Sequence, residues 1–367
     1  MRRLFTAISV LPLTLSIGCS GEGTASTSCT ADQELFQGRC VNPATRYEPD
    51  ARVDDDNVVA FGDPFTQITL PDPPKSGFRI IAPPRVMQPG EEVDDCVSWP
   101  YPAIKNKIVY AARLYATPGV HHSNLIAKPI NESTGPNPYP GCNPGASDPF
   151  GSIGAGIPDV LFASSTQVSG QEALTFPVGM GFRVDTSREI ATDLHLLNTT
   201  TEPQRVELAY DFFTMPESDL ENEVAPFTLQ VDDFLVPPHS QKVIGSECAS
   251  FGGQVVEMLP HTHKLRRAFT VDFIKEDETR DNVLSFGAFD SGSEIRVFDD
   301  PLSLEGVKKV GFSCTFDNIT DHDVVYGLGE NEMCILFGYV FPVRSQFVGH
   351  APYQGEACQS IQLGLFR

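Results

Sequence analysis

Five of the eight histidines in this chain stand in spacings that suit metal ligation. Pro260-His261-Thr262-His263 leads toward a run of alternating residues at Phe269. Residues two apart on a strand point to the same face, so both imidazoles can reach one ion with little backbone strain. Their odd parity matches Phe269, Val271 and Phe273, which puts them on a protected face. By itself an HxH pair reads as readily as a structural feature. His121 and His122 follow the turn Thr117-Pro118-Gly119. Neighbours on a regular strand face opposite ways, so joint ligation by this pair requires a distorted strand end; otherwise one is a core residue and the other exposed. His195 lies in Asp193-Leu194-His195-Leu196, where the leucines point into the core and His195 shares the other face with Asp193. Alone it is an ordinary sheet histidine. Met333, in Glu332-Met333-Cys334, would usually be core filler. A thioether is a soft ligand that suits Cu(I) and adds little for zinc, calcium or magnesium, so imidazoles plus Met333 point to copper that cycles through its reduced state.

The elements that must carry these groups read as strands and turns from about residue 77 onward. Val206, Leu208, Tyr210 and Phe212 alternate with Glu207, Ala209 and Asp211, a half-buried strand. Phe227, Leu229 and Val231 alternate with Thr228, Gln230 and Asp232; Phe269, Val271 and Phe273 alternate with Thr270 and Asp272. Thirty glycines and thirty prolines punctuate the runs. No internal repeat and no long helical pattern is visible. The expectation is an all-β chain of antiparallel sandwiches or jelly rolls. The acidic, proline-flanked stretch 216–226 is the best domain boundary.

The chain of 367 residues is long enough for a leader and two domains, and its 41% hydrophobic content supports packed cores. A formal charge of -22, from 26 basic and 48 acidic side chains, argues against nucleic acid and anionic lipid as partners. Arg2, Arg3 and the apolar run 4–15 read as an export signal over residues 1–18, too short to span a bilayer. It ends at Ser16-Ile17-Gly18-Cys19-Ser20, which resembles a bacterial lipoprotein box with Cys19 lipidated, although Ser16 stands where such boxes usually carry Leu. Ser20 fits transport to the outer membrane, so an exported protein touching the membrane through a lipid anchor is expected. Residues 19–75 read as a tether, a hairpin stapled between Cys29 and Cys40, and an irregular Asp/Pro-rich segment. Without Cys19 the nine cysteines leave eight, an even number that reads as four disulfides in an oxidising compartment.

The order of these motifs resembles the ascorbate-dependent copper monooxygenases, the family of peptidylglycine α-hydroxylating monooxygenase and dopamine β-monooxygenase. The resemblance runs from about Met87 to Cys358. Its landmarks, in order, are 94–99 (Asp-Asp-Cys-Val-Ser-Trp), 120–122 (Val-His-His), 174–184 (Leu-Thr-Phe-Pro-Val-Gly-Met-Gly-Phe-Arg-Val), Leu194-His195, His261-Thr262-His263 and Glu332-Met333-Cys334. The resemblance implies two copper ions. His121, His122 and His195 match the ligands of an electron-storing copper; His261, His263 and Met333 match those of the copper where dioxygen and the substrate C–H bond react. It implies two jelly-roll domains, here 76–220 and 221–367, facing across an open, solvated cleft. It also implies disulfides Cys96–Cys142, Cys248–Cys358 and Cys314–Cys334, leaving Cys29–Cys40 as a local extra. Ascorbate or a similar reductant, dioxygen and a small organic substrate are the implied partners.

Departures from the family bear on the substrate. The peptide-amidating members carry an Arg where this chain has Leu259, and Asn and Tyr where it has Ile335 and Phe337. Loss of those polar groups argues against peptide amidation and for a less polar, aromatic substrate in a cleft lined by Leu259, Ile335 and Phe337. A Gln of the peptide enzyme is Asp193 here. Two rival readings stand beside the oxygenase. One is a non-catalytic copper-binding lipoprotein on the same scaffold. The other is a zinc hydrolase built on the HxH pair with Glu330 or Glu332 as general base. Lys264, Arg266 and Arg267 read as a solvated strand face, and His239, His322 and His350 as surface residues. The sequons at Asn131, Asn198 and Asn318 are set aside because the leader is bacterial in kind.

Overall fold

The structure is a computed structural model that describes residues 34–36, 39–41, 58–60, 65–102, 104–129, 159–167, 169–290, 292–327, 329–342, 345–351 and 358–364. The expected leader with Cys19, the cysteines Cys29 and Cys142, and Asn131 lie outside the described residues. The fold is all-β, and no α-helix occurs among the described residues.

Two antiparallel β-sandwiches of jelly-roll type follow one another along the chain. In the first, a four-stranded sheet runs in the order Glu92–Pro100, Arg188–Leu197, Val120–Pro129, Asp159–Phe162. It faces a seven-stranded sheet centred on Ile108–Ala116 and Leu208–Met215. In the second, a four-stranded sheet runs Ser240–Ala249, Val307–Asn318, Arg266–Lys275, Arg280–Phe286. Its partner is a six-stranded sheet centred on Gln254–His261, Cys334–Phe341 and Ala225–Val231. In both four-stranded sheets the chain-order sequence across the sheet is first, fourth, second, third, so the sandwiches repeat one topology. The sequence shows no such repeat, because a jelly roll constrains side-chain polarity along each strand rather than residue identity.

Buried asparagines mark equivalent corners of the two units. Asn198 Nδ2 donates to the carbonyls of Met87, Gln88 and Glu202, while its Oδ1 accepts from Thr200. Asn318 Nδ2 donates to the carbonyls of Val236 and His322, while its Oδ1 accepts from Thr320. Both asparagines are inaccessible. These two sequons are therefore structural Asx turns, with the side-chain nitrogens engaged in the fold.

Each sandwich has its own core. Trp99, Phe78, Phe162 and Phe212 fill the first; Phe227, Phe269, Val271 and Phe316 fill the second. The sheets that meet between them are buried on both faces. Ile126, Val160, Ala163 and Ala191 of the first sandwich join the second core, and Val256, Tyr339 and Phe341 of the second join the first. The Tyr339 hydroxyl donates to the carbonyls of Val160 (2.9 Å) and Leu161 (3.0 Å). The strand expected to be half-buried, Leu208–Met215, is buried along its whole length. Its polar Asp211 is neutralised by a paired hydrogen bond from Arg79, with Nε and Nη2 donating at 2.6 and 2.7 Å. Within Arg266–Lys275, Phe269, Val271 and Phe273 are buried and Ala268, Thr270 and Asp272 only partly so, in agreement with the alternation read there.

Disulfides staple the second sandwich. Cys314–Cys334 and Cys248–Cys358 are formed as the resemblance implies. Cys314–Cys334 joins the long strand of the four-stranded sheet to the residue directly after Met333.

Candidate metal centre

The tandem pair gains a common face through a β-bulge. His122 pairs directly with His195 across the ladder, whereas Leu196 pairs with Val120, which leaves His121 as the extra residue. A bulge places two residues opposite one and breaks the alternation of side chains, so neighbours can converge. Gly119, at φ +102°, sets up the preceding turn, and a Cβ there would strike Val206. The Gly119 carbonyl accepts from Leu197 N at 2.8 Å and fixes the strand end.

His195 and His122 meet with Nδ1 and Nε2 3.1 Å apart. Two ligands each about 2.0 Å from one ion and roughly tetrahedral lie about 3.2 Å apart, so this spacing suits a shared metal. The remote His195 Nε2 lies 2.6 Å from Glu92 Oε1. A carboxylate behind a ligating imidazole fixes its tautomer and raises its basicity. The hydrogen bond from His195 is the main reason the Glu92 carboxyl titrates below its ordinary value.

The HxH pair is arranged differently from the expectation. His261 is the last residue of Gln254–His261, in the six-stranded sheet, and His263 sits in the turn that follows; neither belongs to the Phe269 strand. Both are buried because this turn is pressed between the two sandwiches. Glu332 holds the turn: its Oε2 accepts from His263 N at 2.7 Å and its Oε1 from Leu265 N at 2.6 Å. His263 Nδ1 donates to the Asn331 carbonyl at 2.8 Å, leaving Nε2 as the nitrogen with a free lone pair. His261 pairs across the ladder with Ile335. Met333 is buried, and the chain on either side of it, at Asn331, Glu332 and Ile335, touches the HxH pair.

The separate clusters across an open, solvated cleft that the resemblance implies are replaced by one contiguous, closed centre. Ring centroids of His121 and His263 are 4.8 Å apart, as are those of His122 and His261. Two groups could hold a metal, His121/His122/His195 and His122/His261/His263, each with ligand atoms within 4.8 Å of one another. His122 is common to both. The closure has a polar latch in residues 164–167. Ser123 N donates to Ser164 Oγ (2.9 Å), Gln167 N to the His121 carbonyl (2.6 Å), and Thr166 Oγ1 to the Thr262 carbonyl (2.8 Å).

All five rings are at most 4% exposed. Burial, then the neighbouring imidazoles His263 and His195, hold His121 far below its ordinary value. His122 is depressed likewise. Burial lowers His261 to about 3 and His263 to about 4. Neutral imidazole is the ligating form. Among the described residues, His121 Nδ1, His122 Nδ1, His261 Nδ1 and His263 Nε2 are buried with no hydrogen-bond partner. Orphaned buried nitrogens are costly, and an ion would satisfy them, so these residues fit a metal.

Several side chains carry roles that the sequence does not suggest. Arg266, expected on a solvated face, is fully buried and paired with Glu294, and its Nη1 donates to Thr262 Oγ1 at 3.2 Å. Lys264 and Arg267 are exposed. His239 and His322 are exposed beside Asp321 and Glu330. Glu332 has both oxygens engaged and Glu330 points to solvent, so neither serves as the general base of a zinc hydrolase. Leu259 and Phe337 line a cavity along the His261 strand, and the Phe337 ring lies 5.9 Å from that of His261. Glu92 gives a weak signal, since it shares strand parity with Asp94, which pairs with His195.

No family model matches the chain, and no curated protein matches it. Solved structures with some likeness include the major capsid protein P2 of bacteriophage PM2, at 10% identity and TM-score 0.28, covering 70% of this chain and 96% of that one. PBCV-1 VP54, as fitted into the virophage Sputnik, shows 6% identity and TM-score 0.24 over 71% of this chain and 92% of its own. The PBSX exported protein XepA shows 8% identity and TM-score 0.21 over 80% and 99%. Likeness at this level carries nothing about function.

Proposed function

We propose that this protein is a copper-dependent monooxygenase that hydroxylates a C–H bond of a small, largely apolar substrate, using dioxygen and an external reductant such as ascorbate. The observation that carries the reading is the convergence of five buried imidazoles, four of them with an orphaned nitrogen, next to the segment that carries the buried Met333. Copper, when bound, supplies the one-electron chemistry that activates dioxygen.

The chain's own residues divide the work. His122 cannot serve two ions through one nitrogen, so two-ion loading assigns it to His121 and His195. Met333 then completes the set at His261 and His263. Glu92 orients His195, and Glu332 with the Asn331 carbonyl orients His263. The latch at 164–167 excludes bulk water.

The test is copper titration followed by oxygen uptake across a panel of small aromatic and aliphatic compounds. The reading expects two ions per chain and a hydroxylated product matching the oxygen consumed. Two ions with slow peroxide formation and no product would favour a non-catalytic copper-binding protein. Met333→His is expected to bind copper and lose turnover; full turnover would remove Met333 from the mechanism.

A further inference from the structure

Thr262, between the two histidines of the HxH pair, is buried and held from both sandwiches. Its Oγ1 accepts from Arg266 Nη1 at 3.2 Å, and its carbonyl accepts from Thr166 Oγ1 of the first sandwich at 2.8 Å. Arg266 is itself fixed, because each of its five N–H groups has an acceptor. Nε donates to the Gly287 carbonyl at 3.1 Å, and Nη1 donates to Glu294 Oε2 at 2.7 Å as well as to Thr262. Nη2 donates to Glu294 Oε1 at 2.5 Å and to the Ala288 carbonyl at 3.4 Å. Glu294 is placed in turn by the first sandwich: its backbone N donates to Ser165 Oγ at 2.9 Å. Glu172 steadies that contact, accepting from Ser165 Oγ at 2.5 Å and from Ser293 Oγ at 2.7 Å. Both holds on Thr262 therefore end on neighbouring residues of the first sandwich, Ser165 and Thr166.

We infer that Thr262 is a positioning residue for the metal site at His261 and His263, and that Ser165 and Thr166 set it from the first sandwich, so that this site takes its ligating geometry when the two sandwiches are closed. The inference rests on the metal-binding part of the proposed function. The backbone has two soft dihedrals per residue, so the φ and ψ of Thr262 set the spacing and angle between the two histidines. Glu332 and the Asn331 carbonyl grip the chain from His263 onward and leave that angle to Thr262. A β-branched side chain is stiff about χ1, so a pinned hydroxyl also steadies the backbone behind it. Arg266 and Thr166 hold Thr262 through different atoms, the hydroxyl and the carbonyl, and together they fix both ends of the residue. The Arg266–Glu294 pair would satisfy its own charges without Thr262; the bond to the Thr262 hydroxyl is what connects that pair to the ligands.

The test uses Thr262→Val, which keeps the side-chain shape and removes the acceptor, and Thr166→Val, which removes the donor on the other sandwich. Thr262→Ser keeps the hydroxyl. Cu(I) is titrated into each full chain against a competing chelator, and electron paramagnetic resonance is recorded on the Cu(II) forms. Each valine variant should weaken one of the two ions by about tenfold, as loss of one buried hydrogen bond predicts, and shift the hyperfine splitting of that ion alone. Thr262→Ser should match wild type. Both valine variants should fold, since Glu294 still neutralises Arg266 and each loses a single hydrogen bond. Wild-type affinity and spectra in both valine variants would overturn the positioning role, as would equal weakening of both ions, which marks general loosening. A Thr262→Ser chain that behaves like Thr262→Val would overturn it too, by showing that the hydroxyl is not the grip. An effect of Thr262→Val with none from Thr166→Val would refute the control by the first sandwich. Selective weakening of one ion, in a protein whose wild type yields no hydroxylated product, would leave the positioning role standing and sink the oxygenase reading.

Discussion

Replacing Glu332 with Gln tests the buried side chain that ties the Met333 segment to the backbone of the HxH turn. The carboxylate is fully buried and accepts from His263 N at 2.7 Å and Leu265 N at 2.6 Å. Gln offers one carbonyl oxygen and one NH2 group, so one of those backbone N–H groups must face another donor. Losing one hydrogen bond to a buried carboxyl oxygen and stranding the buried donor that faced it together cost about 3 kcal/mol. For a unit of this size that is about 6–12 °C of thermal midpoint. The loosened turn also moves His263, so copper affinity at the HxH site should fall at least tenfold, while the His121/His122/His195 group keeps its ion. Thermal unfolding of the copper-free chain and competitive copper titration read the two effects separately. Glu330→Gln, at an exposed position, serves as the control and should change stability by less than about 0.5 kcal/mol. A Glu332→Gln protein that unfolds and binds copper like wild type would refute the reasoning.

Three further outcomes are expected. Glu92→Gln weakens the carboxylate behind His195 and should lower copper affinity at the first group by about 10–100-fold with little change in the thermal midpoint; unchanged affinity would remove Glu92 from the site. Opening Cys314–Cys334, which closes a separation of 20 residues, by paired Ala substitution should cost about 3 kcal/mol and weaken the Met333 site first. Burial works to raise the Glu207 carboxyl, but Arg205 and the N–H groups of Thr66, Ile68 and Gln67 overcome it and hold it at about 2. Its folded value is depressed, so its stabilisation is present above pH ~4.5 and lost as pH falls toward about 2. Glu207→Gln should therefore flatten the acid limb of a stability-against-pH curve, by about 2 kcal/mol; an unaltered acid limb would contradict that role.

What could be read in the sequence follows from what side-chain type and spacing encode. Alternation at Phe269, Val271 and Phe273 gave a real strand face, because period two is a local property. The ligand residues stood out because imidazoles and a thioether are rare and chemically distinct. The convergence of His121 and His122 was not legible, since it depends on a bulge set by the register of Val120–Pro129 against Arg188–Leu197. The HxH pair fell on a strand end and turn, because Pro260 and His261 still belong to the six-stranded sheet and the chain crosses to the other sheet before Arg266. Arg266 looked like a surface cation, and only the fold supplies Glu294 to neutralise it. Glu92 is 169 residues before His261 in the chain, and no local pattern connects it to the metal centre. Closure of the two sandwiches depends on many weak complementary contacts, which no motif records.

X-ray absorption at the copper edge of the fully reduced, two-copper protein reads the ligand set itself. An averaged shell of imidazole nitrogens with half a sulfur per copper is expected, with loss of that sulfur in Met333→Leu while the nitrogens remain. A nitrogen- and oxygen-only shell in the wild-type chain, or uptake of a single ion by all five imidazoles, would contradict it.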